Sequence, residues 1–360
     1  MASLADRVDG FQRRHRVIGF PLAVTYKFFD DQSNYLAATI TYYTFVAIFP
    51  LLLISSQVLG FLLQGNEKLK TAVLDSALSQ FPIVGTALGT PNGLQGSVAA
   101  VTFATLAALY GILGLGQAAQ HSVQVAWAVP RNSRPNPFIS RLRSAILLLL
   151  SGLAVIVLAT LTSVAGNVEM FGTGVDRGIK WLVLVAAVML TALVLAMMVR
   201  WSTDPAHREP LRYLLPGSLL TAVMWQFLQR LGSVYVKHVV ARASDLNALF
   251  AVTLGLIALI YIAANMAMIG LQINVVLIRH LYPRALLTPF TDAVELTDAD
   301  RRAYAAYAKA QRHKGFEKVR VTFEKDEEPV DTPETEGEPD AESPGTGFGG
   351  RLAEDRDSDP

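Results

Sequence analysis

The side chains able to do acid–base, nucleophilic or metal chemistry in this sequence are few and scattered. It contains no cysteine, which removes disulfides, thiolate zinc sites, iron–sulfur clusters and thiol nucleophiles. The six histidines, His15, His121, His207, His238, His280 and His313, form no HExxH or other ligand-spaced pair. No Walker A or GxSxG sequence occurs. RNA hydrolysis wants metal-binding carboxylates or a cooperating histidine pair, and neither pattern is present. The reading is a chain with no catalytic residue, no metal, no cofactor and no nucleic-acid partner. It is not read as an enzyme.

What remains is a set of uncharged polar residues inside long apolar runs. Tyr42 and Tyr43 sit in one run. Gln117, Gln120, His121 and Gln124 recur at helical spacing in the next, after Gly111, Gly114 and Gly116. Gln226 follows Pro216-Gly217, and Asn265 and Gln272 lie seven apart on one helical face near Gly270. In hydrocarbon an unpaired amide or hydroxyl costs several kcal/mol, so these groups must face inward. Tyr42, Tyr43, Gln117, His121, Gln226, Asn265 and Gln272 are therefore expected to wall a polar cavity. The competing reading is that they bond to one another in a solid core. Pro50 and Pro216 are expected to kink or start helices. Gly111, Gly114, Gly217 and Gly270 are expected to allow close helix packing.

The elements that position these groups follow from charge and hydropathy. Of the 360 residues 52% are hydrophobic and only 17% charged, which argues against a soluble chain. Apolar runs over about 36–63, 97–128, 144–165, 179–200, 212–231 and 247–278, with no charge away from their ends, are each long enough to cross a bilayer as a helix. The expected fold is all-α, a polytopic membrane bundle with about six transmembrane helices. Residues 1–34 are too charged for a signal-peptide core and read as a basic amphipathic segment, with Pro21 expected to break its helix. Such a segment suits either an anionic membrane surface or a packed collar. The span domain covers 35–283, and its first external loop, 64–96, is expected to carry a short surface helix. A basic segment covers 284–325, in which a capping signal at Thr297 is expected to open a helix over about 299–314. The tail 326–360 has 13 acidic residues against two arginines and is expected to be disordered. Basic residues number twelve on the side of the N-terminus against seven on the other, so both termini are assigned to the cytoplasm.

Ala37-Ala38-Thr39-Ile40-Thr41-Tyr42-Tyr43-Thr44-Phe45 running into Phe49-Pro50-Leu51-Leu52 resembles the first span of the YihY/virulence factor BrkB family, bacterial inner-membrane proteins once mislabelled ribonuclease BN. Pro216-Gly217, Trp225, Tyr235-Val236, Tyr261 and Gly270-Leu271-Gln272-Ile273-Asn274 match its later spans. The likeness covers about 35–280. Two positions depart from it: the family's acidic residue in the last span is Gln272 here, and its Asn-x-x-Trp appears as Gln124-Val125-Ala126-Trp127.

The resemblance implies a multi-pass protein of the bacterial inner membrane acting in envelope maintenance. It is consistent with a transporter or flippase-like protein for lipid or lipid-linked substrates. The partners implied are membrane lipids, with anionic head groups at Arg131, Arg134, Arg141 and Arg143. The alternative is a non-transporting scaffold with a protein partner on the acidic tail. Deleting 326–360 separates the two, because only the scaffold loses its function with the tail.

Overall fold

The computed structural model describes residues 4–62, 98–134, 136, 138–146, 150, 152–153, 176–203, 208–238, 245–286, 288 and 294–323. The 64–96 loop, most of the expected 144–165 span and the acidic tail lie outside them. Among the described residues every regular element is helical.

Two short helices come first, α1 (Leu4–Arg14) and α2 (Arg16–Asp30). The long α3 (Ser33–Leu62) and α4 (Val98–Ala126) follow, then a single 3-10 turn at Arg131–Ser133. Residues 138–146, 150, 152 and 153 are helical. Three more long helices complete the bundle: α5 (Asp176–Ser202), α6 (Leu211–His238) and α7 (Asp245–Ile278). The last element is α8 (Asp298–Ala310).

The boundaries have local causes. Gln32, Ala128 and His280 adopt positive φ (51°, 49° and 51°), a conformation an α-helix cannot continue through, and they close α2, α4 and α7. Thr297 caps α8 in a capping box: its hydroxyl accepts from the Asp300 amide at 3.1 Å while the Asp300 carboxylate accepts from the Thr297 amide at 3.0 Å. Thr297→Ala is expected to cost about 1 kcal/mol, read as faster amide exchange across the first turn of α8. Unchanged exchange there refutes this role for the cap.

One expected break is absent. Pro21 lies inside α2, and the chain interrupts its helix at His15 instead. Pro21 removes a rung near the start of α2, where Val17 is 86% exposed and its carbonyl can be hydrated. The other face of the helix buries Ala23 and Val24 in the main core.

Helix α7 is the hub, packing on α2, α3, α4 and α6. Its contact with α6 is backbone on backbone. A Cβ at Gly217 would collide with the Gly270 carbonyl oxygen, and one at Gly270 would collide with the Thr221 hydroxyl. Pro216 withdraws one donor from α6, and Asn274 bonds both sides of the interruption. Its oxygen accepts from the Gly217 amide at 2.8 Å, and its NH2 donates to the Leu214 carbonyl at 2.9 Å. The α3–α4 crossing works similarly. Gly111 meets the Ala47 backbone and Gly114 lies beneath the Tyr43 ring.

The outside of these helices is apolar. Trp181–Ser202 and Phe250–Ile278 are long and apolar enough to cross a membrane, and only 17% and 22% of the most apolar 18-residue stretch of each is buried. Phe103, Leu106, Trp181, Leu182, Val185, Phe250 and Leu254 are all more than half exposed. A water-soluble bundle buries such side chains, whereas a surface of this kind suits lipid.

Candidate functional site

The most elaborate polar constellation lies where α2 meets α3 and the C-terminal end of α7. Asp30 and Asp31 end α2, immediately before the first long apolar helix. Lys27, one turn back, pairs with Asp31 at 2.6 and 2.5 Å, and both side chains are 2% exposed. Gln272 reaches across from α7 and donates to Asp31 at 2.8 Å and to the Ser33 hydroxyl at 3.0 Å. Arg284, in the segment after α7, bonds Asp300 at 2.7 Å and Asp30 at 2.6 Å and is itself 1% exposed. The Asp300 carboxylate also accepts from the Ala285 amide at 3.0 Å. Tyr307 donates to Asp30 at 3.3 Å, and its ring lies 4.8 Å from the Lys27 ammonium.

Three carboxylates thus face two cations. The excess negative charge is offset by hydrogen bonds from Ser33-linked Gln272, Tyr307 and backbone amides. Burial opposes ionisation of the Lys27–Asp31 pair: it pushes the ammonium down and the carboxyl up. Burial and the Asp31 and Asp30 charges likewise push the Tyr307 phenol well above its ordinary range, so it stays a donor. Helix α1 joins the same collar. Asp9 accepts from the Leu286 amide at 2.8 Å and from Gln12 at 2.9 Å, and Tyr26 donates to the Leu286 carbonyl. Burial raises the Asp9 carboxyl, but these bonds and Arg13 outweigh it and hold it below the ordinary aspartate value.

An amide suits position 272. A carboxylate there would face Asp31 charge to charge, whereas the Gln272 NH2 donates to it. The Gln272 side-chain oxygen is buried with no hydrogen-bond partner among the described residues.

The seven residues expected to wall one cavity take different partners, apart from Tyr42 and Tyr43, which pack on each other. Gln272 is in the buried cluster. Tyr42 is 55% exposed and packs edge-on against Tyr43, which covers Gly114. His121 is exposed and lies 3.4 Å from Arg134. Asn265 donates to the Tyr261 carbonyl four residues back, at 2.8 Å. Gln117 and Gln226 are half-buried on α4 and α6. Gln120 is the fully engaged amide of α4, bonding the Ser140 carbonyl at 3.0 Å and the Ser144 hydroxyl at 2.6 Å.

Two clefts are lined by none of the seven. One, about 230 Å³, lies between α3, α6 and α7, and its wall includes Ile40, Thr44, Ile48, Trp225, Ile260 and Ala263. The other, about 310 Å³, lies between the α1–α2 junction and the segment after α7. Of the arginines assigned to head groups, Arg131 lies 3.3 Å from His313 and Arg134 is half-buried beside His121. Arg141 is exposed and Arg143 half-buried.

The ion cluster was not read from the sequence. Its signal was present: charges at 27, 30 and 31 directly abut a long uncharged helix. Their partners stand 254 and 241 residues away, beyond any spacing rule.

Apolar outward faces and polar groups turned inward or paired define an α-helical membrane protein. The comparisons with known proteins specify which one: the family described as Virulence factor BrkB matches residues 24–290, and the chain belongs to that family. It is similar to the inner membrane protein YhjD of Escherichia coli (strain K12), 25% identical over 272 residues, covering 71% of this chain and 80% of that protein. It is also similar to the uncharacterized protein Dda3937_02003 of Dickeya dadantii (strain 3937), 24% identical over 275 residues, covering 71% of this chain and 83% of that protein. No solved structure matches significantly.

Proposed function

We propose that this chain is a multi-pass protein of the bacterial inner membrane that moves a lipid or lipid-linked molecule, with about six spans and both termini in the cytoplasm. The observation that carries the reading is the cleft between α3, α6 and α7. Its lining residues fall in the middle stretches of those three long helices. The one hydroxyl in its wall, Thr44, is already bonded to the Ile40 carbonyl at 2.7 Å. Such a wall takes a hydrocarbon chain and rejects a polar solute, which would lose its hydrogen bonds there. The ion cluster fits this reading as a fixed frame. It ties α2, α3, α7 and α8 together at one end, so movement at the cleft leaves that end in place. The name of the similar Escherichia coli protein supports the location.

The test is reconstitution of the purified chain in liposomes carrying fluorescent lipids. Under this reading the wild type equilibrates lipid between leaflets faster than protein-free vesicles. Ala263→Phe, which fills the cleft, slows it by about tenfold, the equivalent of losing one to two buried methylenes of lipid contact. Equal rates with and without protein across several lipid classes exclude the reading. Because the chain lacks cysteine, single cysteines placed in 131–143 and 200–212 report the topology directly. Labelling from the periplasmic side refutes the assigned orientation.

A further inference from the structure

The second cleft has a different chemistry. The geometry points to a binding site for the phosphate of an anionic lipid head group, held between the α1–α2 junction and the segment after α7. Arg13, Arg14, Arg16 and His280 line it, with Gly19 and Tyr282 beside them and no carboxylate in its wall. This site is separate from the arginines at 131–143 and stands whether or not the chain moves lipid.

Four observations carry it. First, the arginines are under-used. Arg14 and Arg16 have no hydrogen bond, ion pair or ring contact among the described residues. Arg13 does have partners, Asp9 at 2.7 Å and the Glu295 carbonyl at 3.2 Å, yet its Nε is buried with no acceptor. A buried guanidinium nitrogen without an acceptor is a cost that a bound oxyanion removes. Second, the 15-residue α2 begins here without an acidic residue in its first turn. Its N-cap residue, His15, makes no capping bond, and its ring nitrogen lies against the Phe11 carbonyl at 2.9 Å instead. The positive end of that helix dipole is left for a ligand.

Third, the cleft has depth. Its floor at Gly19 is buried, because that residue fits against the Gln12 carbonyl, where an added Cβ would come within 2.9 Å. A volume of about 310 Å³ accepts a phosphodiester and part of its glycerol or sugar. Fourth, the setting is that of a membrane surface. The apolar run of α7 ends at Ile278, two residues before His280. Val17, Phe11 and Ile18, which flank the arginines, are 86%, 53% and 46% exposed. Bare apolar side chains beside unpaired arginines suit the boundary between acyl chains and head groups, where each basic residue adds attraction to anionic lipid.

The test is native mass spectrometry of the detergent-purified full chain, titrated with phosphatidylglycerol, phosphatidylcholine or inorganic phosphate. Phosphatidylglycerol is expected to remain bound at concentrations where phosphatidylcholine does not. The double variant Arg14→Gln/Arg16→Gln is expected to weaken it by about thirtyfold, with thermal unfolding unchanged because neither side chain has a partner among the described residues. Arg141→Gln/Arg143→Gln, remote in sequence, is the comparison and should leave most of the binding in place. Wild-type affinity in the Arg14/Arg16 variant overturns the site. Equal retention of phosphatidylcholine overturns its preference for anionic lipid. Displacement by equimolar inorganic phosphate overturns the lipid as its occupant.

Discussion

Replacing Arg284 with methionine is expected to destabilise the folded chain by about 3–5 kcal/mol, the largest effect of any single substitution in the collar. The guanidinium is 1% exposed and holds Asp300, itself fully buried, and Asp30. Removing it strands two carboxylates, one with no access to water. It also removes the positive charge lying 5.7 Å from the Tyr26 ring and 5.3 Å from the Tyr304 ring. The loss should appear as a lower midpoint in chemical unfolding of the detergent-solubilised protein, followed by helix signal. Adding Asp300→Asn to Arg284→Met should recover part of it, because one stranded charge is then gone. If Arg284→Met unfolds within about 0.5 kcal/mol of the wild type, the cluster is not structural.

Gly217→Leu is expected to be nearly as damaging, for a reason that has nothing to do with charge. The Cβ position is occupied by the Gly270 carbonyl, and the Asn274 amide sits 2.8 Å from it. Neither neighbour is a free side-chain end that can swing aside, so α6 and α7 must separate. Overpacking of this kind costs about 1–3 kcal/mol and more when backbone is the obstacle. Separation also breaks the two Asn274 bonds that bridge the Pro216 interruption, at about 1 kcal/mol each. Gly10→Ala supplies the contrast. A Cβ at Gly10 meets nothing within 4 Å, and alanine favours a helix interior, so that change should stabilise by about 0.5–1 kcal/mol. A Gly217→Leu protein that unfolds at the wild-type midpoint rules out the close crossing.

The sequence carried the helices well and the polar contacts poorly. Uncharged runs and the Thr297 cap are local patterns, and the observed α3, α4, α6 and α7 begin and end within a few residues of them, except that α6 runs on to His238. Gly111, Gly114, Gly217 and Gly270 leave no room for a Cβ beside the neighbouring helix, and small residues at helical spacing are a local pattern. The contacts of the polar groups inside the helices are not. Hydrocarbon dictates that an amide find a partner, but it does not dictate where. Asn265 finds one on its own helix and Gln272 finds one on α3 and the turn before it. Two residues on the same face of a helix thus take different partners, which spacing alone does not tell apart. The collar was hidden for a related reason: Gln12, Asp30 and Asp31 mean little until the residues 241 to 272 positions downstream are in place.

That separation bears on how the protein is made. The ribosome delivers α1 and α2 first, yet Asp30 has no Arg284 to bond until 254 further residues have been added. At ordinary elongation rates that is a wait of about 13 to 50 seconds. Through that interval Asp30 has to stay hydrated, with its later partner still unmade. Only when the last long helix and the 284–300 stretch have been made can the two ends of the domain lock. The first part synthesised is therefore the last to reach its final fold, and a nascent chain halted before Arg284 is left open at that end.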